Sequence, residues 1–232
     1  EVPFQTVPSG AGNDPGWGWD LRRLLVRTGI SANGLKVLHL DLAAPPTAIA
    51  PQVQTAADAI ANDAGAAVEL APWRSVLKLN GNEIATPTLH LLDDPSDTWS
   101  HDIDRYAAGP FVAPTWDAPR LQDKGPLMAS LIQEGRIGQS RLAAEWRVYA
   151  GETWVELILD VFWAERFKVL KFVLPAGGAR KRIDGTPGMA LVRANDGKER
   201  PLQDYTQLGT MGVVCPDVFA LDGTPDRVRL TL

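Results

Sequence analysis

Ser140–Pro175 reads SRLAAEWRVYAGETWVELILDVFWAERFKVLKFVLP. Within it, Thr153–Trp163 sets Val155, Leu157, Leu159, Val161 and Trp163 on one face. The other face carries Trp154, Glu156, Ile158, Asp160 and Phe162, a mixed set. A period of two sustained over this length predicts a strand with one core face and a second face partly covered. Arg141–Tyr149 predicts a second strand, and Gly151-Glu152 joins the two as a hairpin. Outward from there, Leu127–Ile132, Lys168–Leu174, Met189–Arg193 and Val228–Leu232 read as further strands. Asn80-Gly81 sits between two apolar runs and is a strong hairpin signal, because both residues tolerate positive φ. Asp184-Gly185, Asp196-Gly197 and Asp222-Gly223 are expected to be turns. The helical candidate is Gln52–Asp63, where Val53, Ala56, Ala57 and Ile60 fall at helical spacing after Pro45-Pro46. It is short and Ala-rich, so a linker or short helix is expected over 45–65. The pattern predicts an all-β protein with two packed sheets.

The totals set limits on function. The chain has 232 residues, 45% hydrophobic, enough for one large all-β domain or two small ones. Its net charge of −5 argues against nucleic acid or an anionic membrane as a partner, since both need basic patches. No apolar run approaches the roughly 20 residues that span a bilayer. The single cysteine, Cys215, excludes an internal disulfide and reads as a small buried apolar residue. The opening Glu1-Val2-Pro3-Phe4 has no initiator Met and no signal peptide, and the end alternates without a closing turn. The expectation is a piece of a longer protein.

Several side-chain groups invite a chemical reading. Asp93, Asp94, Asp97, Asp102 and Asp104 lack the spacing and central Gly of a calcium loop, and read as a solvated loop whose carboxylates bond nearby amides. The same stretch carries Trp99, His101, Arg105 and Tyr106. Aromatic faces and charged groups are what a saccharide rim uses, so Asp97, Trp99, His101, Arg105 and Tyr106 are the candidate substrate contacts. A structural loop that docks onto another domain uses the same residue types. Glu165, Arg166, Lys168 and Lys171 are expected to mark a turn and an exposed strand face. His39, His90 and His101 are not at metal-ligand spacing, and neither a nucleophile elbow nor a phosphate loop occurs. No catalytic or metal-binding residue is nominated, and no cofactor is expected in this chain.

Four stretches in order resemble the C-terminal β region of the family 38 α-mannosidases of bacterial type: Arg22–Leu42, Leu91–Tyr106, Ser140–Pro175 and Asn195–Leu208. Arg22–Leu42 resembles a strand, a turn over Ile30–Leu35 and a second strand. Leu91–Tyr106 resembles the family's Asp-Asp-x-x-Asp-Thr-Trp run. Asp160, Trp163, Glu165, Lys168, Leu170 and Lys171 resemble its Asp-Trp-x-Glu-x-x-Lys-x-Leu-Lys core, with Val161 and Phe162 intervening after the Asp. Asn13–Trp17 shares Asn-Asp-Pro-Gly-Trp with the family's zinc neighbourhood, but Gly12 stands where the metal-binding His would be. It is expected to be a turn.

The resemblance implies a galactose mutarotase-like β-supersandwich over 66–232, preceded by strands of a small β-sandwich over 1–44. It implies a non-catalytic domain of a retaining α-mannosidase, inactive alone, that supports an absent catalytic barrel and lines its sugar pocket. Zinc would then belong to that absent domain. The implied partners are the absent N-terminal catalytic and helical domains and mannosides, in a soluble protein of the bacterial cytoplasm. The alternative is a stand-alone carbohydrate-binding module of the same fold.

Overall fold

The computed structural model describes residues 2–8, 22–41, 49–50, 52–71, 74–96, 104–106 and 110–232. Among the described residues every regular element is a β-strand, and the fold is all-β and sandwich-like. In chain order the strands are β1 Phe4–Pro8, β2 Arg22–Val26, β3 Val53–Thr55, β4 Ala59–Asn62, β5 Ala67–Ala71, β6 Arg74–Leu79, β7 Asn82–Ile84, β8 Thr88–Asp93, β9 Thr115–Trp116, β10 Arg120–Lys124 and β11 Met128–Ile137. They continue as β12 Ser140–Tyr149, β13 Val155–Phe162, β14 Lys168–Pro175, β15 Lys181–Thr186, β16 Met189–Ala194, β17 Arg200–Pro201, β18 Tyr205–Leu208, β19 Met211–Val214, β20 Ala220–Gly223 and β21 Arg227–Thr231. The chain forms two compact units, Glu1–Glu83 with Ala118–Gln133 and Ala144–Ile158, and Ile84–Asp117 with Glu134–Ala143 and Leu159–Leu232.

In the first unit β3 to β7 form a meander in sequence order. Asn80 (φ 49) and Gly81 (φ 74) are the two central residues between β6 and β7. Both have positive φ, as the tight hairpin turn predicted from Asn-Gly requires. The expected helix at Gln52–Asp63 is instead the β3–β4 hairpin, with Val53 opposite Asn62 and Thr55 opposite Ile60. Pairing in the sheet buries Val53 and Ile60, whereas a lone Ala-rich helix of that length has little to hold it. The Asn62 amide then donates to the carbonyls of Tyr149 at 2.6 Å and Glu152 at 2.7 Å. Gln5 on β1 is buried and bonded at both ends of its amide: Nε2 donates to Met128 O, and Oε1 accepts from the Leu127 and Met128 N–H groups.

The second strand expected within Arg22–Leu42 is not formed in the described part, which reaches residue 41. Leu35, Val37, Leu38 and Leu40 are exposed there. Apolar side chains at 35, 37, 38 and 40 break strict alternation, and no strand pairs with them among the described residues. Asn13–Trp17 lies outside the described residues.

The strands read from Ser140–Pro175 form as β12, β13 and β14. Gly151 (φ 69) turns the chain between β12 and β13, and Glu152 N–H bonds Tyr149 O. β13 is an edge strand of the sheet ordered β10-β11-β12-β13. With a neighbour on one side only, none of its side chains is fully buried, while Ala144, Trp146 and Val148 on β12 are.

In the second unit one sheet runs β17-β20-β21-β14-β8 and another β16-β15-β18-β19. Two of the three expected Asp-Gly turns prove to lie within strands, Asp184-Gly185 inside β15 and Asp222-Gly223 as the last two residues of β20. Both aspartates are buried. Each lies against a buried arginine, and that pairing overrides the turn preference of the dipeptide. Gly223 is required for space rather than for a turn. A Cβ there would lie 2.5 Å from Asn195 Oδ1 and 3.0 Å from Arg182 Nη1. Asp196-Gly197 is the bend it was expected to be, with Gly197 at φ 79.

Candidate functional site

Period-two alternation gives the sheet of β8, β14, β21 and β20 two contrasting faces. Leu89, Leu91 and Leu170 lie on one, within a core that includes Ile137 and Leu142. Leu174, Leu221, Val228 and Leu230 lie on the same face, in a second apolar cluster. The cross-strand register sets the opposite face: His90 pairs with Lys171, Lys171 with Thr231, and Asp222 with Arg229. All four of the charged or titratable residues among them are buried.

The charged groups of this face pair with one another. Lys171, with a fully buried side chain, places Nζ 2.6 Å from Glu199 Oε2 and donates to Thr231 Oγ1 at 2.6 Å. Thr231 Oγ1 in turn donates to Glu199 Oε1. Lys171 Nζ also lies 3.3 Å from Asp222 Oδ2, an ion-pair contact without hydrogen-bond geometry. Arg229 Nε donates to Asp222 Oδ1 at 2.8 Å. Burial lifts the Glu199 carboxyl above its ordinary range even though Lys171 and Thr231 pull it down. Charges so placed are tolerable because each meets a counter-charge or a hydrogen-bond partner.

The cover over these charges comes from residues 104–106 and 110–112. The Tyr106 ring sits 4.4 Å from Lys171 Nζ, and its carbonyl accepts from Arg229 Nη2 at 3.1 Å. A cation over a ring face is attracted by the ring quadrupole. Phe111 stacks on His90 with centroids 3.6 Å apart and planes 9° apart. Val112 and Leu91 exchange two backbone hydrogen bonds of 3.0 Å, and Asp104 O accepts from Glu199 N–H. Among the described residues, buried His90 Nδ1 has no hydrogen-bond partner. Its pKa is lowered by burial, then by Arg227 and Arg229. The Tyr106 hydroxyl is pushed up, first by burial and then by Asp94, Glu199 and Asp222.

Of the five candidate contacts, Asp97, Trp99 and His101 lie outside the described residues. Tyr106 packs onto the buried charges. Arg105 does not; it is exposed, and among the described residues its ion-pair contact is with Asp104 at 3.8 Å. Of the aspartates read as bonding nearby amides, Asp94 does so, accepting from Ser96 N–H, whereas Asp93 pairs with Lys168 and Asp104 with Lys198; Asp97 and Asp102 lie outside the described residues. The reading of Glu165, Arg166, Lys168 and Lys171 as a turn and exposed face fails for Lys171, which is at the centre of the charge cluster. Glu165 does cap a turn, its carboxylate accepting from the N–H groups of Gln139 and Ser140.

A second buried cluster lies within β15 and its neighbours. Arg182 Nε donates to both Asp184 oxygens at 2.9 Å, and Nη1 donates to Asn195 Oδ1 at 2.7 Å. Thr206 Oγ1 donates to Asp184 Oδ1 at 2.7 Å. Burial lowers the Arg182 pKa against the opposing pull of Asp184. In the first unit, Arg147 forks onto Glu145 at 2.9 and 2.8 Å and reaches Glu156. Tyr149 donates to the same Glu156 carboxylate at 2.6 Å, and its hydroxyl is pushed up to about 12 by burial and by Glu156.

Among the described residues no group of three or more His, Cys, Asp or Glu converges as metal ligands. Their donor set does not fit a zinc site, which needs three or four such ligands. Cys215 is buried, and burial pushes its thiol up to about 11, so it is not a ready nucleophile. The arrangement around Lys171 is therefore a clamp: it uses its charges on one another and fixes the segment that covers them. Its charged members are far apart in sequence and are brought together by the strand register. The available signal was a Lys or Arg at an inward position of an otherwise apolar strand, as in KVLKFVLP and VRLTL.

A family model described as the glycosyl hydrolases family 38 C-terminal domain matches residues 76–207. The match takes in the 91–106 loop, Lys171, Glu199 and the Arg182–Asp184 pair, and stops short of Asp222 and Arg229. No curated protein matches the chain. No helix is long and apolar enough to cross a membrane among the described residues.

Proposed function

The chain belongs to the glycosyl hydrolase family 38 C-terminal domains, the match covering more than half of its length, and from that premise we propose that it is the non-catalytic β region of a retaining α-mannosidase. In this reading the catalytic barrel, with its zinc, is a separate domain of the same protein. The β region buttresses it and offers the 97–106 loop to the rim of the sugar pocket.

One observation supports the rim role above others. The Lys171 cluster holds Tyr106 through both its ring and its carbonyl, and Phe111 is held against His90. Tyr106, fixed twice, gives the loop a firm point of attachment, and a firm attachment is what positioning a substrate group requires. Trp99 and His101 would then meet sugar C–H faces and hydroxyls. Arg105, free of the buried cluster, is the charged group left for an outer contact.

The test uses the full family 38 protein. Trp99→Ala and His101→Ala should raise KM for an aryl α-mannoside about tenfold, the loss of roughly 1.4 kcal/mol of binding. Zinc content and kcat should stay near the parent values. Unchanged kinetics in both variants would remove the loop from the sugar pocket.

A further inference from the structure

The second unit contains an open groove of about 300 Å³ that belongs neither to the Lys171 cluster nor to the 97–106 loop. This is the lower end of the size range of small-molecule sites, about 300–1,000 Å³. Pro187, Pro201 and Pro216 wall it, and Phe219 stands on its rim with 78% of its surface exposed. The segments that line it are tied together by backbone bonds from Gln203 N to Gly185 O at 2.9 Å, Leu202 N to Phe219 O at 2.8 Å and Cys215 N to Asp204 O at 2.6 Å. Fixed proline φ angles and these cross-links make the groove pre-organised, which reduces the entropy lost when something binds.

Two further lining groups select the ligand. Gln203 and Asp204 are exposed, and neither side chain has a hydrogen-bond or ion-pair partner among the described residues. In the same unit Asp184, Asp222, Glu199 and Asp196 are all engaged with cations. An anionic ligand would meet the Asp204 carboxylate and be repelled. A purely apolar ligand would desolvate that carboxylate and the Gln203 amide with nothing in return. A bound metal would need several converging ligands, and the described residues show no such group. A pyranose ring meets each condition. Its C–H face can lie on the Phe219 ring, and its hydroxyls can donate to Asp204 and exchange hydrogen bonds with Gln203.

We propose that this groove is a saccharide-binding site for a neutral pyranose, with Phe219 as the stacking platform and Asp204 and Gln203 as the hydroxyl partners. It is separate from the rim role proposed for the 97–106 loop, and neither depends on the other.

The test is ligand-observed NMR of the full chain with methyl α-D-mannopyranoside and methyl β-D-glucopyranoside as probes. At least one should bind saturably with a Kd of millimolar order, the strength expected of a single ring on an open site. Phe219→Ala should weaken binding by about tenfold and Asp204→Asn by a few-fold. Phe219 is too exposed for its truncation to disturb the core, so the folded state should persist. Phe162→Ala, at a residue 65% exposed on β13, should leave affinity unchanged. Saturable binding that survives Phe219→Ala, or that is lost with Trp99→Ala instead, overturns the assignment. No saturable binding of either probe up to about 100 mM also overturns it, because a site that weak contributes little binding energy.

Discussion

Replacing Lys171 by Met should be among the most damaging single changes in the second unit. It removes the counter-charge 2.6 Å from Glu199 and 3.3 Å from Asp222, the donor to Thr231, and the cation over Tyr106. The three ionic side chains are 0%, 15% and 3% exposed, so water cannot replace the lost partner freely. Breaking a buried pair by deleting one member costs about 3–5 kcal/mol. Arg229 still holds Asp222, and Glu199 retains slight exposure. Both favour the lower end, about 3 kcal/mol. For a chain of this size that is a fall of roughly 6–12 °C in Tm. The charge origin of the loss is tested by adding Glu199→Gln. With the stranded carboxylate neutralised, the double variant should recover to within about 1 kcal/mol of the parent. Because two units need not unfold together, the assay of choice is native-state hydrogen exchange on the β14 and β21 amides, beside thermal unfolding. A single variant that costs less than about 1 kcal/mol, or a double variant as unstable as the single, would refute the clamp.

Two glycines should fail for different reasons. Gly81→Ala has open space around it and suffers only from its φ of 74, so chemical denaturation should show a loss of about 1 kcal/mol. Gly223→Ala forces a methyl group against Asn195 and Arg182, an overpacking worth about 1–3 kcal/mol by the same measurement. His90 gives a pH dependence with a definite sign. Its folded pKa lies below the ordinary 6.5, so the unfolded chain takes up the proton first as pH falls. The stability tied to it is full above 6.5 and is lost as pH drops through the folded value. His90→Phe should flatten stability between pH 7 and 5 relative to the parent, read by denaturation at several pH values. Curves that stay parallel would show that His90 does not titrate on unfolding.

The fold class was legible because strand alternation in Thr153–Trp163 and Lys168–Leu174 is long enough to leave little ambiguity. The Asn80-Gly81 hairpin was legible because its two residues determine their own backbone. Where reading failed, a distant partner decided. Gln52–Asp63 carries a helical spacing of apolar residues, but pairing in a five-stranded sheet buries Val53 and Ile60. Asp184-Gly185 and Asp222-Gly223 have the composition of turns, and only the arginines two and seven residues away in sequence make them strands. Lys171 looked like an exposed strand residue because its partners, Glu199, Asp222 and Thr231, lie 28 to 60 positions on. Of the site, Tyr106 reads in sequence as a substrate contact, and its ring lies over the buried Lys171 instead of standing in open solvent.

The measurement that bears most directly on the account is hydrolysis of an aryl α-mannoside by this chain of 232 residues, purified alone and assayed with and without added zinc. A non-catalytic β region predicts product at the rate of the protein-free blank in both conditions. Turnover that scales with chain concentration, vanishes on denaturation and survives a chelator would place the chemistry within these residues and contradict the central claim.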